Sequence, residues 1–332
     1  MTLYADFESQ EEIDAQYDVL NAGDDSDRLL ASHFALSAET RSTYRAHLDV
    51  PYGPTRSEYL DIFTADQPNA PVLVFFHGGW WSLPISGPNH ALCARGPVKR
   101  GITTVIVNYA LAPQVSVGEI VRQARSAIAW VHRNIATYGG NPDALVAAGH
   151  SAGGHLVGML ALTDWEGEYD LPPDTLKAGL PLSGLFDLDI FRYSWLAPKL
   201  MLDAETVYRQ SPQRHVRATG VEMLVALGGK ESSEFHRQSR AFAEAWRAQG
   251  IAVHEAYPSA LIRHSWEFLH IPQGRAIPRH KLRLMAGMCL LPPPQPADRH
   301  EADAWLCWVI GHRHQRGEAL TFGVPEEGVI LA

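Results

Sequence analysis

The chain has little of what disulfide-rich, zinc-binding or nucleic-acid-binding proteins need. It contains 3 cysteines, Cys93, Cys289 and Cys307, too few and too scattered for a disulfide framework or a zinc knuckle. It has no dense run of lysine and arginine, and its formal net charge is -9. Such a chain lacks the positive surface that binds nucleic acid phosphates or anionic lipid, so we expect a small-molecule substrate.

Long apolar segments are also missing. No window approaches the roughly 18 consecutive apolar residues that a membrane-spanning helix requires. The N-terminal segment is rich in Asp and Glu and has no basic start followed by an apolar stretch, so no secretory signal is visible. We therefore expect a cytoplasmic protein that does not associate with membranes, and the sequence leaves a homodimer open.

What is present is enough apolar sequence for a large core: the chain has 332 residues, of which 46% are hydrophobic. We expect one catalytic domain, residues 46–274, preceded by a helical arm or lid over 1–45 and followed by an irregular extension over 275–332. Apolar residues recur at 3- to 4-residue spacing in the arm, as at Ile13 and Tyr17. The extension has no comparable periodicity.

The distribution of apolar runs predicts an α/β fold: a mostly parallel central sheet with helices on both faces. Two short runs at 47–50 and 58–63, separated by a Pro- and Gly-rich turn, indicate an antiparallel hairpin. From Val72 onward, short continuous apolar runs alternate with longer amphipathic stretches, which is typical of buried parallel strands and covering helices. The predicted parallel strands are 72–76, 104–108, 144–148, 179–182, 223–227 and 252–256, and the clearest helices are 119–137 and 234–249.

The strongest chemical signal is the segment Gly149-His150-Ser151-Ala152-Gly153, which lies between an apolar strand and a helical stripe. A nucleophile elbow needs small residues two positions before and after its serine, because the turn is strained and leaves no room for side chains. We therefore predict an α/β-hydrolase fold with Ser151 as its nucleophile, whose hydroxyl stands above the sheet edge.

A second signal is His77-Gly78-Gly79-Trp80-Trp81, directly after the strand 72–76. Two successive glycines can turn their N–H groups toward a substrate carbonyl oxygen, and the N–H of Ala152 follows the nucleophile. We predict these three N–H groups as an oxyanion hole. The indoles of Trp80, Trp81 and Trp266 are candidates for the walls of an aromatic substrate site.

A serine nucleophile needs a general base, which this fold places downstream in the order serine, acid, histidine. The candidates are His254, His264 and His270. His264 follows the last predicted strand, where the base belongs, whereas His254 lies inside that strand and His270 lies farther along. We favour His264.

The acid is expected after the strand 223–227. Glu231 is nearest that strand end, while Glu234 follows two serines in a pattern typical of a helix start. Asp187, after the preceding strand, is the alternative. We favour Glu231. The histidines of the C-terminal extension, among them His312 and His314, lack acidic or Cys partners at ligand spacing, so neither a metal nor another cofactor is expected.

With these residues placed, the chain resembles the arylformamidase (kynurenine formamidase) branch of the α/β hydrolases, near the hormone-sensitive-lipase-like esterases. The resemblance extends from about Asp14 to His264. It rests on four segments: Tyr52-Gly53-Pro54, the two-glycine box 77–81, the elbow 149–156 and the segment 231–239.

The resemblance implies an acid at Glu231 and a base in the segment that here reads Arg263-His264-Ser265-Trp266. It further implies hydrolysis of N-formyl-kynurenine to kynurenine and formate. Two alternatives stay open: a short-acyl carboxylesterase with the same triad, and a non-catalytic binding protein of the same fold.

Overall fold

A computed structural model of the chain describes residues 2–18, 26–229, 231–251, 253–256, 321–322 and 330–331. Within these residues, eight strands form one sheet. They are β1 Ala46–Pro51, β2 Tyr59–Phe63, β3 Ala70–Phe76, β4 Thr103–Val107, β5 Gly140–His150, β6 Leu176–Leu182, β7 Glu222–Ala226 and β8 Val253–Ala256. Their spatial order is β1-β2-β4-β3-β5-β6-β7-β8. The neighbours β1–β2 and β2–β4 are antiparallel, and all neighbouring pairs from β4 to β8 in this order are parallel. A separate pair is β9 Thr321–Phe322 and β10 Ile330–Leu331.

The central strands are continuously apolar because both of their faces are covered. All five residues of β4 are buried, and the sequence Thr-Thr-Val-Ile-Val gives this strand the β-branched side chains that pack well on a pleated surface. Strand β1, at the antiparallel edge, exposes most of its residues instead. The predicted α/β fold and the predicted hairpin are both confirmed.

Helices cover the sheet, and four of those within the described residues begin at a residue whose side chain accepts a hydrogen bond from the first turn. In the helix Val117–Asn134, the Ser116 side chain accepts a hydrogen bond from the backbone N–H of Glu119, and the face that includes Ile120, Ile128 and Val131 is buried. The helices are α1 Gln10–Gln16, α2 Ser26–Thr43, α3 Arg95–Val98, α4 Val117–Asn134, α5 Ala152–Ala161, α6 Trp165–Tyr169, α7 Ala197–Leu200, α8 Ala204–Gln210 and α9 Ser233–Arg247. Short 3₁₀ segments occupy Gly87–Ala94, Ile135–Tyr138, Asp189–Tyr193 and Pro212–His215.

Helix α1 is held against α9 by a buried polar contact. The Tyr17 hydroxyl donates to Glu234 Oε2 at 3.2 Å and accepts from Gln238 Nε2 at 2.9 Å. The Tyr17 ring also packs edge-on against Trp80, with 5.7 Å between ring centroids. The N-terminal segment therefore reaches the two-glycine box, although the division of the chain into arm, catalytic domain and extension stays a prediction.

The structure contains no helix, within the residues it describes, that is long and apolar enough to cross a membrane.

Candidate active site

Ser151 lies in a strained turn between β5 and α5. Its φ is 55° and its ψ is -115°, a backbone conformation that a non-glycine residue adopts only when its surroundings impose it. The Ser151 N–H donates to the carbonyl of Leu182 at 2.8 Å, and the Ser151 carbonyl accepts from the His155 N–H at 3.0 Å. These bonds fix the serine between the end of β6 and the first turn of α5.

The glycines around Ser151 are required by close backbone contacts. A Cβ on Gly149 would overlap the carbonyl of Gly153, and a Cβ on Gly153 would overlap the carbonyl of Phe76. The first turn of α5 therefore packs directly on the ends of β3 and β5. This contact is the physical reason for small residues at both positions.

The two-glycine box lies beside the nucleophile. A Cβ on Gly78 would come within 3.3 Å of the Ser151 Cβ and 3.0 Å of the His150 carbonyl oxygen. Gly79 has a φ of 107°, which a side chain would strain. Ala152, the third predicted N–H donor, is the buried first residue of α5. The backbone of the box thus lies beside the serine, as the predicted oxyanion hole requires.

His77 anchors the start of this box. Its ring is fully buried and stacks on Tyr109 with 4.1 Å between ring centroids, and the Tyr109 hydroxyl donates to the His77 carbonyl at 2.7 Å. The His77 Nδ1–H donates to the Gly78 carbonyl at 2.8 Å, which fixes the tautomer because a carbonyl only accepts. Burial lowers the pKa of His77 to about 4, so the ring is neutral near pH 7.

The two tryptophans that follow also have left-handed backbones, with φ of 54° at Trp80 and 56° at Trp81. Trp81 is fully buried, and its indole N–H donates to His155 Nδ1 at 3.2 Å. His155 Nε2 in turn donates to the carbonyl of Gln210 at 2.7 Å. Trp81 therefore ties the box to α5 and α8 and presents no surface to a ligand.

His155 was not among the residues that the sequence pointed to. It lies one helical turn after Ser151, so its position on the helix was predictable, but its two partners come from distant segments. Burial lowers its pKa to about 4.

Glu231 lies at the carboxyl ends of β6 and β7. Its Oε1 accepts from the Ser183 hydroxyl at 2.6 Å and from the Gly228 N–H at 2.7 Å. Its Oε2 is buried and has no hydrogen-bond partner within the residues that the structure describes. A buried carboxylate oxygen of this kind is where an imidazole N–H would bind.

The two other carboxylates considered for the acid are engaged elsewhere. Asp187 Oδ1 accepts from Arg214 at 2.9 Å, and Glu234 receives two hydrogen bonds from Arg237, at 2.6 and 2.8 Å. Glu234 lies in the first turn of α9, as its sequence pattern indicates.

Among the candidate bases, His254 lies in β8, while His264 and His270 fall outside the described residues, as does Trp266. No group of three His, Cys, Asp or Glu side chains within the described ranges is placed to hold a metal ion.

Comparison with known proteins shows to which family this chain belongs. The kynurenine formamidase of Danio rerio is 30% identical over 258 residues, covering 74% of this chain and 86% of the relative. The chain belongs to the kynurenine formamidase branch of the α/β hydrolases. Residues 73–211 match a family model described as an alpha/beta hydrolase fold.

Other relatives of this α/β hydrolase are esterases. Esterase LipQ of Mycobacterium tuberculosis is 30% identical over a region that covers 62% of this chain and 53% of the esterase. A structure of a proposed thioesterase from Silicibacter sp. TM1040 superposes with a TM-score of 0.66 at 25% identity, covering 74% of this chain and 90% of that one. The protein is therefore a hydrolase enzyme, and the alternative of a non-catalytic binding protein is not retained.

Proposed function

We propose that this hydrolase cleaves N-formyl-kynurenine to kynurenine and formate through a formyl-enzyme on Ser151. The observation that carries the proposal is the strained Ser151 backbone, with φ of 55°, which lies against Gly78 of the two-glycine box. Similarity to a kynurenine formamidase over 74% of the chain supports the choice of a formamide substrate.

In the proposed reaction, the Ser151 Oγ attacks the formyl carbon while His264 accepts the hydroxyl proton. Glu231 Oε2 accepts from the other ring nitrogen of His264 and orients it. The tetrahedral oxyanion binds the N–H groups of Gly78, Gly79 and Ala152, and each such donor is worth about 3 kcal/mol in the transition state.

Collapse of that intermediate breaks the carbon–nitrogen bond, and His264 transfers its proton to the leaving aryl amine. Water activated by the same imidazole then attacks the formyl ester and releases formate and free Ser151. Trp80 and Trp266 stay predicted walls for the aromatic part of the substrate. Trp81 has no part in that wall because its indole is fully buried.

Replacing Ser151 with Ala, S151A, tests the nucleophile. We expect kcat on N-formyl-kynurenine to fall by about 10⁴-fold or more, while circular dichroism and the urea unfolding midpoint show a folded protein. Retention of wild-type turnover in the folded variant would exclude Ser151.

The second candidate function is a short-acyl carboxylesterase, which the similarity to esterase LipQ favours. Both activities use the same triad, so only the pocket separates them. A higher kcat/KM for N-formyl-kynurenine than for p-nitrophenyl acetate supports the formamidase. The reverse ranking identifies the esterase.

A further inference from the structure

Ser183 connects the proposed acid to the nucleophile. It directly follows β6 and is 7% exposed, and its hydroxyl donates to Glu231 Oε1 at 2.6 Å. The distance is that of a charge-assisted bond between a hydroxyl and a carboxylate. No other described side chain contributes a hydrogen bond to this carboxylate, since the Gly228 donor is a backbone N–H.

The backbone around Ser183 fixes the direction of this hydroxyl. Ser183 has a φ of 49°, in the left-handed region, and its N–H donates to the Ala226 carbonyl of β7 at 2.7 Å. The carbonyl of the preceding residue, Leu182, accepts from the Ser151 N–H at 2.8 Å. Two consecutive residues thus hold the nucleophile on one side and the acid on the other.

The bonds to Oε1 also determine what Oε2 can do. Rotation of the carboxylate would break both hydrogen bonds to Oε1, so Oε2 is the oxygen left for an imidazole. We propose that Ser183 is a positioning residue for the hydrolytic reaction, because its hydroxyl fixes the Glu231 carboxylate so that Oε2 faces the general base. This inference rests on the proposed function, in which Glu231 is the acid.

The variant that tests it is S183G. Glycine adopts a φ of 49° without strain, so this substitution removes the hydroxyl and keeps the backbone. We expect kcat to fall by about 10-fold or more with KM unchanged, because the hydroxyl acts on the acid and does not touch substrate. S183A, which removes the same hydroxyl, serves if S183G does not fold.

The matched control is S194A. Ser194 is also buried, at 2% exposure, and its hydroxyl donates to the Phe191 carbonyl at 3.1 Å, away from the Glu231 carboxylate. We expect this variant to keep wild-type kcat, which shows that loss of a buried serine hydroxyl does not in itself reduce turnover.

A double-mutant cycle with E231A separates positioning from general damage to the fold. If Ser183 acts through Glu231, adding S183G to E231A lowers kcat no further. If S183G lowers kcat by the same factor in both backgrounds, or leaves kcat unchanged while E231A lowers it, the inference is overturned and the proposed triad stands. If E231A alone keeps full activity, the assignment of the acid fails, and the inference fails with it.

Discussion

At the scale of single residues, the site depends on the absence of side chains as much as on their chemistry. Ser151 keeps its strained backbone because Gly149 and Gly153, which have no side chains, allow α5 to pack directly against the ends of β3 and β5. The strain is imposed by packing, and any added atom at these positions must displace backbone.

Gly153→Ala is the sharpest test of this contact. The added Cβ would overlap the Phe76 carbonyl, so we expect a loss of about 2 to 3 kcal/mol in the free energy of unfolding and a large loss of activity. Gly96→Ala is the control, because a Cβ there meets nothing within 4 Å. The test is to measure urea unfolding and kcat on both variants. Equal free energies of unfolding for the two variants would show that the elbow tolerates a side chain at Gly153.

At the scale of elements, two buried histidines join the two-glycine box to its neighbours. His77 stacks on Tyr109, and His155 bridges Trp81 to the carbonyl of Gln210. Both rings are fully buried, and burial lowers the pKa of each to about 4 from an ordinary 6.5. Both bridges therefore consist of neutral imidazoles at neutral pH.

These pKa values predict acid sensitivity. In the unfolded chain these two histidines take up protons near pH 6.5, whereas in the folded protein they do so only near pH 4. The neutral rings therefore contribute their full stabilisation of the folded state above pH 6.5. It is lost as the pH falls from 6.5 to 4, by about 3 kcal/mol for each ring. Urea unfolding at several pH values measures how steeply the free energy of unfolding falls between pH 6.5 and pH 4. The substitution His155→Asn should make this pH dependence less steep. An unchanged slope in the variant would contradict the role of His155.

Sequence periodicity predicts these elements well and their side-chain partners poorly. The eight strands of the sheet lie at the predicted apolar runs, with ends shifted by a few residues. The runs are visible in the sequence because a strand buried on both faces consists almost entirely of apolar residues. The place of Glu231 shortly after β7 was likewise predictable, whereas its role as the acid stays a prediction. The pairing of Ser183 with Glu231 and that of Trp81 with His155 were not predictable, because the two residues lie 48 positions apart in the first pair and 74 in the second.

At the scale of the whole molecule, the parallel sheet brings separate signals to one edge. The carboxyl ends of β3, β5, β6 and β7 carry the two-glycine box, Ser151, Ser183 and Glu231 respectively, in the spatial order of the strands. Ligands of open α/β sheets bind at this edge, because the loops after parallel strands converge there. The arrangement explains how residues scattered from 77 to 231 along the chain form one site.

The central claim is that Ser151 is the nucleophile of this hydrolase. Incubating the full chain with a fluorophosphonate and mapping the modified peptide by mass spectrometry tests it most directly, because the reagent reacts covalently with an activated serine. We predict one label, on Ser151, in proportion to the loss of activity. A label on another residue, or complete inactivation with Ser151 unmodified, would contradict the account.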